Sequence, residues 1–147
     1  MALALAGCQT TPQITYDKHT NQKVAYSSLS HPYSGLFDWL QAKAFYSDKH
    51  GYGIETLYSN YGWIFPAEVW SFGKKFQYVK TSAQTAMCGG AGGCITLEGG
   101  LILMSEADFQ AAAKNGFEFR LVGSAGSVVG KIPAKHFQEV LSLRNSQ

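Results

Sequence analysis

The chain has 147 residues, of which 46% are hydrophobic and 15% charged, and its formal net charge is +2. This length fits one domain with a single core, and the composition excludes an intrinsically disordered chain. Lysine and arginine are scattered, which excludes the basic run that neutralises several phosphates on a nucleic-acid-binding surface. The many aromatic residues are expected to serve mainly core and cross-strand packing.

The N-terminal segment is small and apolar and ends in Leu5-Ala6-Gly7-Cys8. This motif resembles the lipobox of bacterial lipoproteins, in which cleavage before the cysteine is coupled to its lipidation. No Lys or Arg precedes Lys18, whereas a signal peptide needs a basic n-region and an apolar run of about 7–15 residues. We therefore expect that the natural chain starts upstream of Met1, or that the N-terminus has been trimmed. The alternative is an N-terminal strand with a chance cysteine.

The lipobox resemblance implies a domain organisation and an address. Residues 1–7 are interpreted as a residual signal-peptide segment, residues 8–13 as the lipid-anchor site with a short tether, and residues 14–147 as one globular domain. In that family a residue other than Asp after the lipidated cysteine implies sorting to the outer membrane, and Gln9 follows Cys8. The resemblance thus implies a lipid-anchored protein at the periplasmic face of the outer membrane.

Alternating apolar and polar residues predict antiparallel strands over most of the chain. A hairpin with a polar loop is expected between Gln13 and Tyr26, and His31-Pro-Tyr-Ser-Gly35 is interpreted as a break. Pro66 cannot donate a ladder hydrogen bond, so its strand is predicted to lie at a sheet edge or to contain a bulge. Further strands are predicted at 39–47, 52–59, 63–70, 75–87, 117–122 and 128–132.

Two cysteines, Cys88 and Cys94, flank five small residues. If Cys8 carries lipid, this pair remains, and export to an oxidising compartment favours a Cys88–Cys94 disulfide. Free thiols are one alternative and a metal site is another, although C-x5-C has no second pair here and no histidine close in sequence. Apolar residues of one parity from Ile95 to Leu103 then favour one long strand, bent or bulged at Gly99-Gly100, over a second hairpin.

Two helices are predicted late in the chain. Ser105 has the properties of an N-cap, Gly116 supplies a C-terminal stop, and Phe109 is expected on the buried face of this helix. Pro133 is expected to open the second helix, which buries Phe137. The sequence therefore predicts an α+β domain, with a mainly antiparallel sheet or sandwich of about 7–8 strands and two short helices.

The resemblance to lipoproteins extends beyond the N-terminus. The run from Trp63 through Glu98, Ser105-Glu-Ala-Asp108, Gly116–Gly123 and Ile132-Pro-Ala134 is similar to small bacterial lipoproteins of an uncharacterised family. Such a family implies a fold and an address, but it supplies no activity and no site residues.

No catalytic, cofactor or metal signature is present. The acids, among them Asp38 and Glu98, are dispersed and expected to be solvated, and the four histidines lack metal-ligand spacing. We therefore expect no cofactor and a non-catalytic module that contacts another envelope protein. One alternative is a glycan-binding module that stacks exposed rings on sugars, and the candidate rings are Tyr58, Tyr61, Trp63 and Trp70. The other alternative is an unrecognised envelope enzyme. The exposure of these rings distinguishes the two binding hypotheses. A row of exposed, coplanar rings in a groove would favour a glycan, and a flat apolar patch would favour a protein partner.

Overall fold

The computed structural model describes residues 11–89 and 93–146. It contains ten strands and two helices in these residues. They are β1 (Gln13–Asp17), β2 (Gln22–Tyr26), β3 (Ser30–Ser34), β4 (Trp39–Ser47), β5 (Gly51–Asn60), β6 (Pro66–Ser71), β7 (Lys74–Cys88), β8 (Cys94–Met104), α1 (Glu106–Asn115), β9 (Phe117–Gly123), β10 (Gly126–Ile132) and α2 (Ala134–Asn145). The segment preceding Thr11, which includes the predicted lipidation site Cys8, lies outside the described residues.

All ten strands belong to one antiparallel sheet with the order β1-β2-β4-β5-β8-β7-β6-β9-β10, and β3 pairs with β4 beside β2. The sheet curls until β10 approaches β3. The two strands come close at Gly130, where an added Cβ would lie 2.7 Å from Cβ of Pro32, so a larger residue would not fit without movement. Curling turns one face of the sheet inward and makes it the core.

The two helices pack against each other and cover part of the inner face of the sheet. Phe109 of α1 lies 4.7 Å from the Tyr52 ring and 5.1 Å from the Phe137 ring of α2, measured between ring centroids. Phe137 in turn makes an edge contact with Phe117 at the start of β9. Since aromatic pairs add about 0.5–1.5 kcal/mol beyond area burial, this chain of rings ties both helices to the sheet.

The predicted α+β class and the two late helices are confirmed. Ser105 accepts a hydrogen bond from the Asp108 amide and caps α1, and Gly116 at a φ of 76° ends that helix. The strand count, however, is higher than the predicted 7–8. One reason is β3, which was interpreted as a break because it contains Pro32. This proline lies where the register with β4 shifts, so its missing N–H removes no regular ladder bond.

Strand β6 shows which of the two predictions for Pro66 holds. Pro66 is the first residue of the strand, and the register with β9 shifts between Pro66 and Glu68, as expected of a bulge. The strand is not at an edge, because it lies between β7 and β9. It pairs with β7 only near Phe76, so beyond this point no described strand lies along the outer side of β7.

The Cys88–Cys94 disulfide is present. The two residues are direct cross-strand partners of β7 and β8, and their sulfur atoms are 2.12 Å apart. The strand that follows is one continuous element to Met104, so the hairpin alternative at Gly99-Gly100 is wrong. Neither of the two helices is long and apolar enough to cross a bilayer.

Candidate functional site: an apolar end of the sheet

One end of the curled sheet exposes a cluster of large apolar side chains, which we call the apolar end: Leu36, Phe37, Tyr61, Trp63 and Phe65. The exposed fractions are 88% for Leu36, 67% for Phe37, 51% for Tyr61 and 50% for Phe65, and Trp63 is partly buried. The two loops that carry them are in contact, because the Phe37 and Tyr61 ring centroids lie 6.0 Å apart. A second ring pair, Trp63 with Phe65, is stacked at 6.3 Å.

The first loop is a tight turn between β3 and β4 that is held by a carboxylate. The Gly35 amide donates to the Asp38 carbonyl at 2.8 Å, which leaves Leu36 and Phe37 at the tip. The Asp38 side chain accepts hydrogen bonds from the hydroxyls of Tyr58 at 2.8 Å and Tyr33 at 3.2 Å. Burial, reinforced by the bond to Asp38, raises the pKa of Tyr58 well above its ordinary value, so this hydroxyl stays a neutral donor.

The second loop, between β5 and β6, is held by two side chains of β8. Glu98 is only 1% exposed, and its carboxylate accepts from the Ile64 amide at 3.0 Å and the Phe65 amide at 2.9 Å. The Thr96 hydroxyl lies 3.2 Å from the Asn60 carbonyl and 3.0 Å from the Gly62 carbonyl. These bonds hold Phe65 at a φ of 55°, a left-handed conformation that costs a non-glycine residue of order 1–3 kcal/mol.

The same loop is also fixed against the turn between β9 and β10. The Ala125 amide donates to the Ile64 carbonyl at 3.1 Å. A Cβ added to Gly123 would collide with that carbonyl, so only glycine allows the loop to come this close. Ile64 is buried beneath the loop while Phe65 points to solvent. The rings of the apolar end are therefore mounted on loops with little freedom to rearrange.

The structure brings together only two of the four aromatic residues that were predicted to face a ligand. Tyr61 and Trp63 belong to the apolar end. Tyr58 was predicted to expose its ring, but it is only 3% exposed, so this prediction is corrected. Trp70 is exposed near the opposite end of β6, where it pairs with Lys75 and Arg120.

Sequence reasoning missed the residues that complete and support the apolar end. Leu36 and Phe37 are two large apolar residues between Gly35 and Asp38, and their occurrence in a turn was a usable signal. Glu98 was expected to be solvated, which is wrong. Its position as the only charged residue between Cys94 and Met104 was a second signal, because buried acids need partners.

A serine, a histidine and a glutamate also meet inside the protein, between α2 and the segment linking β2 to β3. The Ser28 hydroxyl donates to Glu139 at 3.0 Å and lies 3.1 Å from Nδ1 of His136. In a catalytic triad the acid and the serine contact different ring nitrogens, whereas here both lie on the Nδ1 side. We interpret this cluster as a set of structural hydrogen bonds that hold α2 against the sheet.

Metal chemistry finds no support in the described part of the chain. Within residues 11–89 and 93–146, no three side chains of His, Cys, Asp or Glu are grouped as a metal would require. The sulfur atoms of Cys88 and Cys94 are bonded to each other and so offer no thiolate ligands.

Comparison of the chain with protein-family models, with curated proteins and with solved structures finds no match.

Proposed function

We propose that this protein is a non-catalytic interaction module of the bacterial cell envelope, held at the membrane by lipid on Cys8, which binds another envelope protein through its apolar end. The observation that carries the proposal is the set of exposed rings on loops fixed by Asp38 and Glu98. Large exposed apolar patches on soluble proteins mark interaction sites, and a rigid patch loses little entropy on binding.

The chemistry of the apolar end favours a protein partner over a sugar. Leu36, Phe37 and Phe65 carry no polar side-chain atom, so they cannot satisfy sugar hydroxyls. The Phe37 and Tyr61 rings are inclined by 76°, unlike the coplanar platform on which a glycan chain would stack. An apolar protein surface would bury the exposed part of these side chains, which stabilises a complex by at most about 1.5–3 kcal/mol for each side chain, and aromatic residues are typical hot spots.

The proposed anchor would keep this surface near the membrane. The tether from Gln9 to Gln13 spans at most roughly 18 Å at about 3.3–3.6 Å per residue. Gln13 is the cross-strand partner of Tyr26, which in turn pairs with Phe45 of β4. Phe45 and Trp39 are about 20 Å apart along β4, at ~3.3 Å rise per residue. Because β1 runs away from the apolar end, the chain enters the domain from the side of that surface. Partners close to the anchoring membrane are therefore the ones it would reach.

Site-specific photo-crosslinking in intact cells tests the proposal. A photoreactive residue replacing Phe37 or Phe65 should give one discrete protein adduct, because both positions lie in the expected interface. Phe72 provides a matched control, since it is also an exposed phenylalanine at a turn, but lies at the opposite end of β6. The double variant Leu36→Ser, Tyr61→Ser should remove the Phe65 adduct. Equal adducts at all three positions, or none at the apolar end, would contradict the proposed interface.

A further inference from the structure

The outer face of β6 and β9 carries a shallow cavity of about 220 Å³, remote from the apolar end along β6. We call it the Trp70 cavity, and it is lined by Trp70, Ser71, Phe72, Glu118, Phe119, Arg120 and Val129. We propose that the Trp70 cavity binds one ring of a neutral saccharide chain. This second site does not depend on the proposed function of the apolar end.

The Trp70 ring is held in place before any ligand arrives. Its Nε1–H donates to Glu68 at 3.0 Å, and the Lys75 ammonium lies 3.1 Å from the other oxygen of that carboxylate. The same ammonium is 5.8 Å from the indole centroid. An indole fixed at its edge and still 39% exposed can offer a flat apolar surface at little entropic cost.

Two polar side chains of β9 complete the cavity. Glu118 and Arg120 alternate with buried Phe119, so both point to the outer face of the strand. Both are exposed, and neither forms a salt bridge within the described residues, although each carries a charge. The guanidinium offers five N–H donors and the carboxylate offers two acceptor oxygens. A ligand that donates and accepts hydrogen bonds at once would use both groups.

Together, these features match the chemistry of a sugar ring. A pyranose has an apolar C–H face that stacks on an indole, and its hydroxyls both donate and accept. The charges of Glu118 and Arg120 balance, which favours a neutral ring over an anion. The volume of about 220 Å³ is below the roughly 300–1,000 Å³ of enclosing small-molecule pockets. The cavity therefore fits one ring of a chain that continues across the surface.

A titration of the isotope-labelled full chain, expressed without lipid, tests the proposal. Chitotetraose and cellotetraose are the probes, and amide and indole NMR shifts are the readout. At least one probe should shift the Trp70 indole and the Arg120 amide, with a dissociation constant in the millimolar range. Trp70→Ala should weaken that binding by about tenfold, which corresponds to about 1.4 kcal/mol, because the stacking surface for the sugar ring is lost. Glu118→Gln and Arg120→Gln should each weaken it severalfold.

Two further variants separate the possible results. Trp63→Ala alters the apolar end and should leave sugar binding unchanged. Trp70→Phe keeps an aromatic surface and should retain most of the affinity, which covers the case in which Trp70→Ala does not fold. Shifts confined to the apolar end, full affinity in Trp70→Ala, or no response to either sugar would overturn the proposal. Stronger shifts of Arg120 with phosphate than with sugar would assign the cavity to anions and also overturn it.

Discussion

Among the residues that support the apolar end, Glu98 is the one whose substitution we expect to lower the stability most. In Glu98→Gln the side chain keeps its shape but has one acceptor oxygen instead of two. Its amide group would face either the Ile64 or the Phe65 N–H, and two donors cannot bond. One charge-assisted hydrogen bond is lost, worth about 1.5–3 kcal/mol, and a buried N–H remains unsatisfied. Removing the buried charge returns part of this cost because a neutral amide is easier to desolvate.

The net effect we expect is about 2 kcal/mol of lost stability, which lowers Tm by roughly 4–8 °C for a chain of this size. Urea denaturation with the disulfide intact measures it as a lower midpoint at unchanged slope. Hydrogen exchange should show faster exchange at the Ile64 or the Phe65 amide, whichever faces the new amide group. The matched control is Glu118→Gln, the same change on an exposed strand position, which should stay within about 0.5 kcal/mol. A Glu98→Gln variant as stable as this control, with the Ile64 and Phe65 amides both equally protected, would refute the reasoning.

Three other predictions concern the anchor, the disulfide and pH. Cys8→Ser should move the full-length precursor from the membrane to the soluble fraction, and identical fractionation of wild type and variant would speak against lipidation. The double variant Cys88→Ser, Cys94→Ser should fold but melt several degrees lower, because closing so short a loop contributes about 2–2.5 kcal/mol in the chain-entropy model; an unchanged melting temperature would show that the bond adds nothing. Burial lowers the pKa of His136 below its ordinary 6.5, so the folded state binds this proton less readily than the unfolded chain. Its contribution is complete above pH 6.5 and is lost as the pH falls toward the folded pKa, so wild type should lose more stability between pH 7.5 and 5.5 than His136→Gln, as thermal melts can check.

Helix α1 could be predicted almost completely because its signals are local. The cap at Ser105 and the glycine at Gly116 act within one turn of the residues that they stabilise. Strand β8 could be predicted as a single strand, but its pattern did not show which face turns inward. Leu97 and Leu101, whose common parity indicated one strand, lie on the outer face and are partly buried.

The residues of β8 that face the core show why this face could not be identified from the sequence pattern. They include Thr96, Glu98 and Gly100, which are unusual core residues. Glu98 is tolerated there because loop amides 33 and 34 positions away satisfy its carboxylate. Gly100 is needed there because the Tyr78 ring lies where a Cβ would be. Both reasons depend on contacts between distant segments, and a periodic pattern in one strand contains no information about them.

The composition of the apolar end was predictable only in part for the same reason. Tyr61 and Trp63 lie on one loop, and their exposure follows from the turn between two strands. Phe37 joins them only because β3 and β4 form a hairpin whose tip is adjacent to that loop. That hairpin was hidden from sequence reasoning by Pro32, which suggested a break in the chain where a strand exists.

In the part of the chain that the structure describes, no strand pairs with the outer side of β7 beyond Phe76, and such an open edge invites pairing with a strand from another molecule. From Thr81 to Cys88 it carries no charged side chain that would repel an incoming strand. The register with β8 shifts between Lys80 and Ser82 and again between Thr85 and Met87. These irregularities divide the open edge into two short regular stretches, Gln77–Lys80 and Ser82–Thr85, which limits the length of any intermolecular ladder that could form there. We therefore expect the two register shifts to disfavour self-association along β7.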